Sequence, residues 1–217
     1  MNKSIYSLVL SDSVVEAVDD MARSAGLSRS AMVNQLLAER VEYTTPEMRM
    51  KEILSAVQRC MTDGFFLAEP PTGSSLCAKT SLKYRYKPTV RYSVEMFSRA
   101  GHRAGELRVS FRTQNEQLID DLTGFFRCWT ALEQRFISSR ISQDLTCTIS
   151  SGRFTRTLNM PGSEVSDEEL GKAVADYMAM FDAAMKEYFA HIPDLQIAAM
   201  AAEDSYRLSL SKQKIII

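Results

Sequence analysis

A short alternating run opens the chain with nothing nearby to pair with. From Ser4 to Leu10, Tyr6, Leu8 and Leu10 fall on one face of an extended segment and Ile5, Ser7 and Val9 on the other. Helical periodicity follows at once. Ser11 or Asp12 is placed to cap a first helix with Val14, Val18, Met21 and Ala25 at helical spacing, and Gly26 supplies its left-handed end. Ser28 caps a second helix striped by Met32, Val33, Leu36, Leu37 and Val41. A lone strand and two helices cannot close a core of their own, because domains below about 40 residues usually need a staple or a partner. The economical solution is an obligate homodimer in which two copies of the strand pair with each other.

The residues Ile5-Tyr-Ser-Leu-Val-Leu-Ser-Asp-Ser-Val-Val, then Asp20-Met-Ala-Arg, then Gly26-Leu-Ser-Arg-Ser-Ala-Met resemble the ribbon–helix–helix family of bacterial and phage repressors, of the CopG, Arc and MetJ type. The resemblance covers residues 3–43. It implies an interlocked dimer whose antiparallel ribbon enters the major groove of double-stranded DNA, with outward side chains against base edges. Carried over by position, the base-facing residues are Lys3, Ile5, Ser7 and Val9, and the phosphate clamp is Ser28, Arg29 and Ser30. Physical chemistry supports the clamp separately, since free amides and the helix dipole at that end attract an anion and Arg29 adds a charge. Ser28 also reads as a plain helix cap, and the two roles are compatible. The reading strand departs from the family pattern: Ile5, Ser7 and Val9 offer no bidentate pairing to guanine or adenine.

Thr45-Pro46-Glu47 starts a third helix and a second domain, so the expected division is 1–44 for dimerisation and DNA binding and 45–217 for oligomerisation, ligand or partner binding. The helix runs from Pro46 to Asp63 with Met50, Ile53, Leu54, Val57 and Met61 inward. Strands are expected around Leu76–Tyr86, Val90–Ser98 and Glu106–Thr113, the last with Leu107, Val109 and Phe111 inward and Glu106, Arg108, Ser110 and Arg112 outward. Thr113-Gln-Asn-Glu116 reads as a capping box opening a helix to about Ile137, and Ser166-Asp-Glu-Glu169 as a second, opening a helix through about Ala190. Two strands flank Ser150-Ser-Gly152, and a weaker helix follows Pro193. The order implies an α+β fold: a ribbon–helix–helix, then an antiparallel sheet covered by helices on one face.

Charge is near balance overall, a net −1, but unevenly spread. Residues 1–44 are acidic, whereas 45–113 hold twelve Lys or Arg against six Asp or Glu. Lys79, Lys83, Arg85 and Lys87 are expected on one strand face with Tyr84 and Tyr86 on the other, and Arg91, Arg108 and Arg112 extend the row. Two readings stand: a surface for DNA backbone or another anion, or the solvated face of an open sheet.

Little points to chemistry. Four widely spaced cysteines (Cys60, Cys77, Cys128, Cys147) and two histidines (His102, His191) make neither a zinc cluster nor a disulfide scaffold. No nucleophile elbow, phosphate-binding glycine loop or H-E-x-x-H occurs, so no enzyme, catalytic residue, metal or cofactor is expected. Acids at Asp12, Glu16, Asp19 and Asp20 interrupt any secretion signal, and no apolar run approaches the roughly 20 residues of a membrane helix. A cytoplasmic, homodimeric transcriptional regulator is the leading expectation, with an unidentified effector or partner for the second domain. The alternatives are an interaction protein using the ribbon only to dimerise, and an antitoxin-like regulator.

Overall fold

The computed structural model describes residues 4–71, 73–85, 87–98, 101–141 and 145–217. It divides into two compact units, one ending at Arg49 and the other spanning Met50–Ile217.

In the first unit, α1 (Asp12–Ala25) and α2 (Arg29–Arg40) form a helix pair. Gly26 at φ +64° ends α1, and the Leu27 amide reaches back to the Ala22 carbonyl at 2.8 Å. The shared core is small: Val18, Ala22 and Met32 are buried, with Val33 and Leu36 packed against them. The strand expected over Ser4–Leu10 is not formed. The first element is a helix, and the residues before it make no ladder. The physical reason is the one raised by the sequence itself, since a strand without a neighbour has no partner for its amides and carbonyls. A ribbon–helix–helix arrangement is therefore absent from the single chain.

The second unit is α+β. Its elements are α3 (Pro46–Cys60, whose first turn belongs to the first unit), β1 (Phe66–Leu67), β2 (Ser75–Ser81), β3 (Thr89–Met96), β4 (Arg103–Phe111), α4 (Glu116–Phe136), β5 (Cys147–Ser150), β6 (Arg153–Asn159), α5 (Asp167–Ala190) and α6 (Leu195–Leu210). The strands form one antiparallel sheet in the order β1-β2-β3-β4-β6-β5. Period-two alternation sends Leu76, Ala78, Val90, Tyr92, Val94, Leu107, Val109, Phe154 and Leu158 into the core.

Helices cover that face. Phe181 of α5 lies at the centre of an aromatic cluster, edge-on to Phe125 and Trp129 of α4 and tilted against Phe154 of β6. Helix α5 is buried on most of its circumference because α3 and α6 also pack on it. Gly171 permits the α3 approach: a Cβ there would stand 2.5 Å from both the Ala56 Cβ and the Ile53 carbonyl. Among the described residues, no helix is long and apolar enough to cross a membrane.

Several local expectations shift. Strand β2 stops at Ser81 because the chain turns, with the Leu82 amide bound to the Pro88 carbonyl at 3.0 Å and the Lys87 amide to the Tyr84 carbonyl at 2.9 Å. Lys83, Arg85 and Lys87 therefore sit in a turn and do not share a strand face with Lys79, while Tyr86 lies outside the described residues. Asn115, rather than Thr113, caps α4 by accepting from the Leu118 amide at 2.9 Å. The Ser166–Glu169 capping box forms with both of its reciprocal bonds.

Candidate functional site

Two regions carry the residues singled out by the sequence, one in each unit. In the first, Ile5, Ser7 and Val9 are exposed, as are Tyr6, Leu8 and Leu10. Lys3 lies outside the described residues. Exposed apolar side chains continue along the helix pair at Val14, Met21, Leu37 and Val41.

Ser28 is the N-cap of α2, its hydroxyl accepting from the Ala31 amide at 3.3 Å. The first intrahelical donor is the Met32 amide, 3.0 Å from the Ser28 carbonyl. Arg29 and Ser30 thus carry amides with no acceptor inside the helix, the feature that binds anions at helix starts. The Arg29 guanidinium, however, is already engaged. Its Nε and one terminal nitrogen donate to the two carboxylate oxygens of Asp19 in α1, at 2.6 and 2.5 Å. That hydrogen bond is the main reason the Asp19 carboxyl is held below its ordinary range and the Arg29 pKa is raised. The charge expected to meet phosphate is paired within its own chain.

In the second unit the relevant surface is the uncovered face of the sheet. Cross-strand register places Phe66, Lys79, Arg91, Ser110, Arg153 and Ser150 in one row. The next row runs Cys77, Ser93, Arg108, Thr155 and Thr148, and the one after begins Ser75, Glu95, Glu106 and Thr157. Arg91 contacts Glu69 at 3.0 Å and the Cys77 sulfur at 3.7 Å, and Arg108 contacts Glu106 at 2.7 Å. Arg112 follows the end of β4 and is exposed. Sequence reasoning missed Arg153. The signal was present, because the Ser150-Ser-Gly152 turn and the inward Phe154 fix Arg153 as outward.

Other polar clusters are interior. Arg156 of β6 is fully buried, its Nε 2.8 Å from Glu133 of α4. A terminal nitrogen donates to the Ile217 carbonyl at 2.6 Å, and the guanidinium lies 4.6 Å from the centre of the Tyr177 ring. Trp129 donates to the Tyr177 hydroxyl, which donates to Glu133, each at 3.0 Å. Asp182 of α5 accepts from Thr80 at 2.7 Å and Tyr92 at 2.8 Å, and pairs with Lys186. These sets pin helices to the sheet. Arg156, Glu133 and Asp182 are all buried.

The cysteines make poor nucleophiles where a shift is resolved: burial and the Glu133 carboxylate push Cys147 up to about 12, and burial raises Cys128. His191 closes α5, its Nδ1 2.9 Å from the Glu187 carbonyl, and His102 lines a shallow groove beside Phe97 and Arg103. No group of three or more His, Cys, Asp or Glu suited to a metal ion occurs among the described residues. No protein-family model, curated protein or solved structure matches the chain.

Proposed function

We propose that the chain is a homodimeric DNA-binding transcriptional regulator that uses its first unit twice. Residues 4–10 of two copies pair as an antiparallel ribbon, which buries Tyr6, Leu8 and Leu10 and presents Ile5, Ser7 and Val9 outward. The observation that carries this reading is the exposed, alternating, unpaired segment directly before a helix pair whose core, among the described residues, is Val18, Ala22 and Met32 with Val33 and Leu36 packed against them. A second copy supplies both a ladder partner and the missing apolar cover. The start of α2 from each copy then meets flanking phosphates through the amides of Arg29 and Ser30.

The pairing of Arg29 with Asp19 favours a second reading, in which the ribbon dimerises the chain and DNA plays no part. Binding of the purified protein to its own upstream region and to a scrambled duplex, measured across salt concentrations, separates the two. A preference of roughly a thousandfold with a steep salt dependence supports the regulator. Absence of binding even at low salt rejects it and leaves the dimerisation module.

A further inference from the structure

The uncovered sheet face has a charge gradient along its strands. At the end facing the β2–β3 turn, Lys79, Arg91 and Arg153 occupy one cross-strand row, and Arg108 stands in the next. At the other end the row contains Glu95 and Glu106. Lys79 lies directly opposite Arg91, a placement that destabilises a sheet when both charges have the same sign. Glu69 offsets Arg91 only at a 66% exposed site, where water weakens the pair. Neither Lys79 nor Arg153 has an ion-pair partner among the described residues. With strands about 4.8 Å apart, the row from Lys79 to Arg153 crosses three spacings, or roughly 14 Å. The exposed turn beyond adds Lys83, Arg85 and Lys87 at the same end.

We propose that this basic end of the open sheet is a second, sequence-independent contact surface for the phosphate backbone of duplex DNA. The inference rests on the DNA-binding reading above and extends it to the second unit. The charge is of the right sign, and hydroxyls at Ser93, Ser110 and Thr155 stand among the cations as additional donors to phosphate oxygens. The surface is open and spans several strands, so it suits a long polyanion rather than a small anion in a pocket. Among the described residues its two basic rows hold one aromatic, Phe66 on the edge strand, whereas surfaces for single strands stack successive bases on aromatic rings. Duplex backbone is the occupant that needs charge and hydroxyls alone.

The test uses the full chain carrying Lys79→Gln, Arg91→Gln and Arg153→Gln together, beside Arg29→Ala, with a labelled random-sequence duplex as ligand. Circular dichroism confirms folding, which the outward positions of all three residues favour. The slope of log affinity against log salt should flatten by about 0.9 per lost contact, so by roughly two to three per subunit for the triple variant. An unchanged slope in the triple variant with a flattened slope in Arg29→Ala overturns the sheet contact and leaves the ribbon reading standing. The reverse pattern supports the sheet and removes the clamp. Equal affinity for a single strand of the same length, or equal displacement by poly-glutamate, overturns the assignment to duplex. Absence of binding by the unaltered chain at low salt overturns both.

Discussion

Arg29 and Asp19 face each other across the α1–α2 turn in a two-pronged ion pair, with Nε at 2.6 Å and a terminal nitrogen at 2.5 Å from the two carboxylate oxygens. This pair decides whether the start of α2 presents a cation or a neutral surface to an approaching phosphate. Phosphate must compete with a carboxylate already in bidentate geometry. Replacing Asp19 with Asn removes the charge of that competitor at a partly exposed site. The Asp19→Asn protein is expected to bind random duplex several-fold more tightly, with a salt slope steeper by about 0.9 per subunit. Titration at several salt concentrations checks this, and an unchanged slope means that Arg29 does not reach DNA.

Leu8 is exposed in the single chain and lies on the inward face of the proposed ribbon. Leu8→Asp would place a charge from each copy in the apolar core of the proposed dimer. Sedimentation is expected to show a dimer for the unaltered chain and a monomer for Leu8→Asp, at protein concentrations of micromolar order. A dimer that survives the substitution would place the interface elsewhere.

Arg156 and Glu133 form a fully buried ion pair between β6 and α4. Arg156→Met leaves Glu133 buried with its charge uncompensated, which costs about 3–5 kcal/mol. Adding Glu133→Leu removes the orphaned charge and should recover much of the loss. Urea unfolding of both variants measures the difference. A double variant as unstable as the single would show that the pair contributes through packing rather than charge.

Gly171→Ala sets two effects against each other. Alanine improves intrinsic helix stability by about 1 kcal/mol. Its Cβ, however, meets the Ala56 Cβ and the Ile53 carbonyl at 2.5 Å, and backbone cannot yield as a flexible side chain does. Forcing α3 away from α5 costs about 1–3 kcal/mol. The net expectation is a destabilised protein with a lower melting temperature. The same change at Gly162, which has nothing within 4 Å of the added carbon, should leave the melting temperature within a degree or two of the original.

Glu169 accepts from the Ser166 backbone amide at 2.9 Å and hydroxyl at 2.8 Å, and these bonds hold its pKa below the ordinary glutamate value. A carboxylate with a depressed folded pKa stabilises the fold above its unfolded pKa and loses that contribution as pH falls through the folded value. Fraying at the start of α5 should therefore appear on the acid side of the ordinary glutamate range. Glu169→Gln retains an acceptor without the charge. Amide exchange at Leu170 and Gly171 should depend on pH beyond the intrinsic exchange rate in the original protein and lose that excess dependence in the variant.

Local signals placed most of the second unit correctly. The Ser166–Glu169 capping box, the inward Leu107, Val109 and Phe111, and the Ser150–Gly152 hairpin all follow from interactions within a few residues, so sequence alone determined them. The basic row was only half legible. Lys79 and Arg91 were expected together, but Lys83, Arg85 and Lys87 left the strand because Leu82 and Pro88 close a turn, and Arg153 joined from a strand distant in the sequence. Alternation in β6 puts Arg156 on the inward face with Phe154 and Leu158, but tertiary structure alone decided that its buried partner is Glu133 and that Arg29 is held by Asp19. Strand order and helix packing bring such partners together, and nothing in local periodicity specifies them. The Ser4–Leu10 segment marks the boundary from the other side: its alternation is complete in the sequence, yet a strand exists only when a second backbone lies beside it.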